Sequence, residues 1–536
     1  MGTLLDDAVA RFGDRPAFDF LGQQTSYSQL GALVARAAKG LQARGAGPGT
    51  HIALLLPNCL YYPIFYFAAL KIGATVVNCN PLYTPRELNN QIQDSQASIL
   101  VTLDLAALWD KAVTLADAGL IRHTIICPFA KQLPLGKNVL FNLAKRKELA
   151  PAAKNHPKSI AFDRLTDNDG DYNPVNIDAA THLAVLQYTG GTTGVPKGAM
   201  LTHGNLYANV RQCELWFGDF EYGQERMMAV IPFFHIFAMT GALNLAIRVG
   251  AEIIALPRFQ IDDLIKAIQR KKPTILPAVP TIYTAINNYT GIDKVEMHSI
   301  KACISGGAPL PREVYEQFVA KTGAVLVEGY GLSETAPVAS VNPTDGNHRI
   351  GSIGLPLPQT EIAIVSLEDG KTRMPAGEKG EICIRGPQVM ARYWQRPEAS
   401  AEVIDADGFL HTGDVGIMEE DGFTYIVDRI KDLIIAGGFN VYPRHVEEAI
   451  YLHPAVEECV VGGVPDAYRG ETVKAWIKLR DGERLTIDEM KAFLADKLSP
   501  IEQPKAIEFR AEPLPKTLIG KLSRKTLVDE AKAQVG

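Results

Sequence analysis

Between Tyr188 and His203 the chain reads YTGGTTGVPKGAMLTH, a run whose residue types suit the capture of a polyphosphate. Gly190, Gly191 and Gly194 let backbone N–H groups close on an anion, Thr189, Thr192 and Thr193 add hydroxyl donors, and Lys197 adds a positive charge. This is not the GxxxxGK[ST] loop, because Lys197 follows Pro196. A purely structural glycine turn is the competing reading. A second run, VEGYGLSETAPV from Val327 to Val338, holds an aromatic, a hydroxyl and a carboxylate within five residues. Tyr330 suits stacking on a planar base, Ser333 suits donation to a phosphate, and Glu334 is a hard oxygen ligand of the kind Mg²⁺ takes. A third, Asp407 to Asp432, offers Asp414 as an acceptor for two vicinal hydroxyls and Arg429 as a donor. The fourth, PLPKTLIGKLSRKTL at 513 to 527, carries Lys516, Lys521, Arg524 and Lys525 with no acid among them, and a solvated basic tail accounts for it equally.

These runs need a framework, and the pattern around them supplies one. Helical stretches such as YSQLGALVARAAKGLQARG (27 to 45) alternate with short apolar strands: HIALLLP at 51, ATVVNCN at 74, ASILVT at 97, LAVLQ before Tyr188, AEIIALP at 251, PTILPAV at 273 and KACISGG at 301. That rhythm predicts a layered α/β fold with parallel strands. Residues 350 to 428 become short strands punctuated by Gly and Pro, so a small β-rich subdomain is expected there. After Asp428 a charged step leads to Gly437-Gly438, a helix (VEEAIYLHP) and two strands (VEECVVGGVP, ETVKAWIKLR). The expected division is a large domain over 1–430 and a smaller α+β domain over 431–536.

Composition narrows the class. The 536 residues carry 54 Lys+Arg against 60 Asp+Glu, a net charge of −6, which argues against a nucleic-acid partner. With 47% hydrophobic and 21% charged residues the chain reads as globular rather than disordered. The longest apolar stretch, Leu60 to Leu70, is broken by Pro63 and is well short of the roughly 20 residues that span a bilayer. Neither a transmembrane helix nor a secretory signal is expected. Seven cysteines (59, 79, 127, 213, 303, 383, 459) without a CxxC pair argue for reduced thiols and a cytoplasmic setting.

Taken together, in this order and spacing, the four motifs resemble those of the adenylate-forming superfamily of acyl-CoA synthetases, luciferases and peptide-synthetase adenylation domains. The resemblance covers nearly the whole chain. GFLHTGDVG leading to IVDRIKD, with GPQVMARYWQRPEAS before it, is most similar to the bacterial long-chain fatty acyl-CoA synthetase branch. The resemblance implies a Mg²⁺-dependent enzyme that takes fatty acid, ATP and CoA to acyl-CoA, AMP and pyrophosphate through an acyl-adenylate. The alternatives are a ligase for another carboxylic acid, or one that passes the acyl group to a carrier-protein thiol, and, in a different class, a nucleotide-binding pseudoenzyme.

Carried over motif by motif, the resemblance assigns Thr189 to Lys197 to the triphosphate and Gly307, Ala308, Glu328, Gly329 and Tyr330 to the adenine pocket. It gives Ser333 the α-phosphate, Glu334 the Mg²⁺, and Asp414 and Arg429 the ribose. Lys521, in Gly-Lys-Leu-Ser-Arg, matches the lysine that bridges carboxylate and α-phosphate, and Lys431 matches the hinge of a mobile C-terminal domain. His235, in PFFHIF, matches the histidine that lines the acyl entrance, and Met239 one turn on falls where an acyl gate would stand; a core histidine and plain core packing are the structural alternatives. One departure is informative: where luciferases and many aryl-CoA ligases carry Lys-Tyr-Lys-Gly, this chain has Ile435-Ala436-Gly437-Gly438. Two cations are absent, and the glycines suit a loop that admits the narrow thiol arm of CoA.

One further run stands out in an acidic chain. KQLPLGKNVLFNLAKRKELAPAAKNHPK (131 to 158) holds Lys131, Lys137, Lys145, Arg146, Lys147, Lys154 and Lys158 against Glu148, interleaved with Leu133, Leu135, Val139, Leu140, Phe141 and Leu143. A peripheral, salt-reversible contact with anionic lipid at the inner face of the membrane is expected. A basic excursion between two α/β units accounts for the same residues. No motif encodes acyl length or oligomeric state.

Overall fold

The computed structural model describes residues 1–189, 196–436, 439–466, 469–517 and 522–535. The chain divides into two compact units, one of residues 1–361 and 385–408, the other of 362–384 and 409–536.

Among the described residues of the first unit, two sheets form the framework. One runs in spatial order Arg392–Tyr393, Lys197–Thr202, Leu183–Thr189, Thr75–Asn78, His51–Leu55, Ile99–Leu103, His123–Cys127 and Ser159–Ala161. From Leu183–Thr189 to Ser159–Ala161 the pairing is parallel, and the first two strands are antiparallel additions. The other places Val325–Gly331, Ala302–Ser305, Ile275–Ala278, Arg226–Ala229, Glu252–Ala255 and Pro16–Phe20 side by side in parallel, with antiparallel edges. The apolar runs become strands because parallel strands covered on both faces read as unbroken hydrophobic segments. His51–Leu55 and Ile99–Leu103 are buried at every residue.

The apolar stretch near residue 60 is the helix Tyr61–Lys71, also buried at every residue. A helix apolar on all sides belongs inside a core. Pro63 stands in its first turn, where a missing N–H costs little. Tyr62 and Phe18 both pack on Phe233, so the aromatic core reaches both sheets. No described helix is long and apolar enough to cross a membrane.

In the second unit a sheet of Glu361–Val365, Lys379–Arg385, Leu410–Met418 and Thr424–Arg429, the last three paired antiparallel, comes first. A second sheet, built on the long hairpin Val456–Asp466 and Gly470–Leu479, is covered by Pro443–Tyr451 and Ile487–Leu494 over a core that includes Ile434, Val446 and Ile477. Arg524–Val535 covers Trp476 and Val460.

The β-rich stretch expected over 350–428 is therefore split between sheets. Leu355–Pro356 closes the edge of the nine-stranded sheet, and Arg392–Tyr393 pairs with Lys197–Thr202. Backbone bonds from Ala391 N to Met200 O (3.1 Å) and from Trp394 N to Gly198 O (2.8 Å) hold that second piece in the first unit. The expected boundary near 430 falls inside the second unit.

All seven cysteines are unpaired and buried. Burial pushes the thiols of Cys59, Cys79 and Cys213 up to about 12.

Candidate active site

The glycine-rich run joins two antiparallel strands. Leu183–Thr189 enters the sheet interior as an apolar strand and returns as Lys197–Thr202, with Thr189 opposite Lys197 and Tyr188 opposite Gly198. Gly190, Gly191, Thr192, Thr193 and Gly194 lie outside the described residues, and of the expected cradle only Thr189 and Lys197 are described. The stem is tightly braced. Tyr188 Oη donates to Asp94 Oδ2 at 2.7 Å, Arg396 Nη2 donates to Asp94 Oδ1 at 2.5 Å, and Trp394 Nε1 donates to the Asp94 carbonyl at 3.0 Å. A Cβ on Gly198 would stand 3.2 Å from the Tyr188 ring, so glycine lets the two strands close. The next helix, His203–Phe217, starts with a capping box: Asn205 N donates to Thr202 Oγ1 and Thr202 N to Asn205 Oδ1. Asn205 also donates to the carbonyls of Pro387 and Val389, tying the 385–408 segment to the same end of the hairpin.

That segment brings Tyr393 between two of the expected site residues. Its hydroxyl donates to Glu334 Oε1 at 2.6 Å, and Lys197 Nζ lies 5.1 Å from its ring centroid. Burial, then the Glu334 charge, holds the Tyr393 phenol well above its usual range, so it stays protonated and stays a donor. Glu334 is itself buried, in the short turn Ser333–Thr335, which packs against both hairpin strands. Among the described residues its Oε2 takes no hydrogen bond. One oriented carboxylate with a spare hard oxygen, beside the hairpin expected to hold phosphate, fits Mg²⁺, which takes one or two carboxylates and completes its shell with phosphate oxygens and water.

The expected adenine residues gather at the carboxyl ends of parallel strands, where open α/β sheets bind ligands. Ser305 pairs with Glu328, Gly329 with Val341 and Tyr330 with Ser340. Gly307, at φ 83°, turns the chain after Ala302–Ser305, and Leu310 N donates to Glu328 Oε1 at 3.4 Å. Gly307 and Ala308 therefore lie in a loop held to the strand that carries Glu328, Gly329 and Tyr330.

His235 caps the helix that follows it: its Nδ1 accepts from Phe237 N at 3.3 Å, which leaves the ring proton on Nε2. Met239 is fully buried and opens a π-helical stretch, Met239–Asn244. Asn78 Nδ2 donates to Gln187 Oε1 at 2.9 Å and lies 3.3 Å from Met239 Sδ, while Gln187 Nε2 donates to the Phe234 carbonyl at 3.1 Å. The segment before His235 is thus tied to a strand residue two positions before Thr189.

In the second unit Asp414 and Arg429 stand directly opposite each other on neighbouring strands, with Arg429 Nε donating to Asp414 Oδ1 at 3.0 Å. The turn before Asp414 is braced by Glu381, whose Oε1 accepts from Gly413 N and whose Oε2 lies 2.8 Å from His411 Nδ1. Lys431 lies in the turn Ile430–Asp432, and Arg524 clamps its neighbour Asp432 at 2.7 Å. The same guanidinium reaches Glu447 at 2.8 Å and the Val461 carbonyl at 2.6 Å. Gly437, Gly438 and Lys521 lie outside the described residues.

No sequence motif assigns a part to Tyr393, within MARYWQRPEAS, or to Asp94, near the end of the polar helix Pro85–Ser95. The adjacent aromatics Tyr393 and Trp394 beside Arg396 were the available signal.

Comparison with known proteins follows the same outline. A family model described as AMP-binding enzyme matches residues 5–394, and one described as AMP-binding enzyme C-terminal domain matches 445–521. A long-chain-fatty-acid–CoA ligase of Bacillus subtilis is 43% identical over 532 residues, covering 98% of this chain and 94% of its own. One from Escherichia coli O6:H1 is 40% identical over 541 residues, covering 99% and 94%. Among solved structures, ATP-bound MatB from Rhodopseudomonas palustris superposes with a TM-score of 0.87 at 28% identity over 100% of both chains. The o-succinylbenzoate CoA synthetase of Bacillus subtilis, in complex with ATP and magnesium, gives 0.78 at 26% identity, covering 98% of this chain and 99% of that one.

Proposed function

The chain belongs to the AMP-binding enzyme family, and from that premise we propose that it is a fatty acid–CoA ligase, converting fatty acid, ATP and CoA to acyl-CoA, AMP and pyrophosphate. A carboxylate is a poor acyl donor because its leaving group would be oxide. Attack by the carboxylate on the α-phosphate expels pyrophosphate and makes AMP the leaving group; the CoA thiol then displaces AMP. Both steps gather negative charge on oxygen, so the residues needed are fixed donors and cations rather than a covalent nucleophile.

In this reading the hairpin between Thr189 and Lys197 holds the triphosphate, Ser333 donates to the α-phosphate, and Gly307, Ala308, Glu328, Gly329 and Tyr330 hold adenine. Asp414 and Arg429 meet the ribose, and Lys521 bridges the acid and the α-phosphate. Glu334 would hold Mg²⁺, which when bound adds positive charge to the phosphate oxygens. His235 and Met239 border the acyl chain. For the second step a rotation about Lys431, with 1–430 and 431–536 as the moving parts, withdraws Lys521 and brings Gly437 and Gly438 to the thiol arm.

The observation that supports this reading most is the chain of contacts from Glu334 through Tyr393 to Lys197, which joins a buried carboxylate to the cation of the phosphate hairpin. The test is a panel of acids of increasing length, following pyrophosphate release without CoA and thioester formation with it. Acid-dependent pyrophosphate release and CoA-dependent thioester on long acyl chains are expected. Pyrophosphate release with no CoA thioester would favour transfer to a carrier-protein thiol, and nucleotide binding without either product would leave a pseudoenzyme.

A further inference from the structure

Surface helices ordinarily turn their apolar side inward. The helix Leu135–Ala144 does the opposite. It has no buried residue, and Leu135, Val139, Leu140 and Leu143 are 87, 59, 64 and 77% exposed. At about 100° per residue these four side chains fall within an arc of roughly 140°. Phe141 projects about 170° from the middle of that arc and packs on Phe129 with ring centroids 4.9 Å apart, so it fastens the helix to the body and leaves the leucine face outward. Leu133, at the entry to the helix, is buried and is not part of this face.

Cations border the exposed face. Lys137, Lys145, Arg146 and Lys147 lie between 135 and 148 against the single acid Glu148. Lys145 is paired with Glu148, and Lys137 donates to the Leu21 carbonyl. Arg146 and Lys147 are exposed in the next turn, and among the described residues neither has a carboxylate partner. Lys131 and Lys158, which the sequence grouped with them, are committed to Asp163 and the Ala116 carbonyl.

We propose that Leu135–Ala144 and the turn after it form a docking surface for an anionic phospholipid bilayer, with the leucine face lying in the headgroup layer and Arg146 and Lys147 on lipid phosphates. An outward apolar face followed by two exposed cations that, among the described residues, have no carboxylate partner complements an interface that is apolar beneath and negative above. A protein partner for the same face would need apolar and acidic groups placed to match; a bilayer supplies both without a fixed pattern. The contact is peripheral, because ten residues make a helix only about 15 Å long. The biological sense of the contact rests on the fatty acid reading, since it would bring the enzyme to the phase where such acids collect. The contact itself is read without substrate.

The test is co-sedimentation of the full chain with vesicles of phosphatidylcholine alone and of phosphatidylcholine mixed with phosphatidylglycerol, at low and high salt. Two variants accompany it, L135E/L143E and R146E/K147E, with thermal melts and ligase activity on detergent-dispersed acid as controls. All four positions are exposed, so both variants should melt as the native chain does and keep that activity. The native protein should bind the anionic vesicles, lose at least tenfold in binding at high salt, and bind neutral vesicles weakly. Each variant should lose at least tenfold at low salt. Equal binding by native and variant chains, or no binding by the native chain, overturns the proposal. So does a native chain that dimerises in sedimentation equilibrium while L135E/L143E stays monomeric, since the face would then belong to a second copy. Failure of the activity control in the native chain would count against the ligase reading alone.

Discussion

Tyr393 touches two charged groups with two different parts of itself, and the two can be removed separately. Phenylalanine at 393 keeps the ring beside Lys197 and deletes only the donor to Glu334. A buried carboxylate oxygen left without its partner costs on the order of 1–3 kcal/mol, or roughly a five- to hundredfold change in an equilibrium constant. Tyr393→Phe should therefore raise the Mg²⁺ concentration needed for tight ATP binding, measured by calorimetry, several-fold, and leave ATP binding in chelator unchanged. Glu334→Gln should abolish the Mg²⁺ dependence. If the Mg²⁺ titrations of Tyr393→Phe and native protein overlay while Glu334→Gln shows the loss, Tyr393 does not orient the carboxylate. Glu334 stands out in the sequence because it follows a hydroxyl in a Gly-bounded run. Tyr393 does not, because it lies 59 residues from its partner in a stretch with no strand-like alternation, and only the pairing of Arg392–Tyr393 with Lys197–Thr202 brings it there.

Elements show a similar contrast between what local pattern carries and what packing decides. LAVLQ, HIALLLP and ASILVT form strands as their unbroken apolar character requires. Nothing in YTGGTTGVPKGAMLTH announces that its second half returns antiparallel to the first, since a phosphate-binding glycine run is as often followed by a helix. The helix after His235 was legible, but its π-helical stretch was not; it arises where Met239 and Thr240 are held by Asn78 and the Ala336 carbonyl. Because Met239 is packed on every side, Met239→Trp should shorten the acyl space and depress activity on the longest acids more than on medium ones. A uniform loss along the panel would make it ordinary core packing. The start of Arg524–Val535 supplies a prediction of another kind. Arg524 faces Asp432, Glu447 and, at 3.9 Å, Asp428. Burial raises the carboxyls of Glu447 and Asp428 even with that guanidinium present to lower them. Arg524→Met should raise both further and cost on the order of 3 kcal/mol near neutral pH. A carboxyl raised in the folded state holds its proton where the unfolded chain has lost it, so stability falls as pH climbs from about 4 through the raised values. The deficit in Tm should accordingly be smaller at about pH 5 than at about pH 8; an equal deficit at both would place the loss in packing instead.

At the scale of the whole molecule the α/β class and the change of character toward the C-terminus were legible, because strand and helix periods persist over hundreds of residues. The return of 385–408 to the first unit was not, since it depends on backbone bonds between segments nearly two hundred residues apart. The proposed two-step cycle predicts that its halves can be lost separately. Lys521→Ala should lose adenylate formation yet still convert preformed acyl-adenylate to acyl-CoA. Lys431→Pro, which fixes φ where the rotation is proposed, should do the reverse. Single-turnover assays of each half check both, and an equal fall in the two halves for either variant would remove the two-state assignment. The buried thiols have a practical corollary. With every native cysteine inside and those of Cys59, Cys79 and Cys213 protonated far above neutrality, the folded protein is a silent background for alkylating reagents, and the rate at which maleimide is consumed becomes a clock for opening of the core. Against that background a single cysteine introduced at Leu143 would label within the first turnover of reagent, and an environment-sensitive dye carried there would report, by its colour, what the helix rests upon.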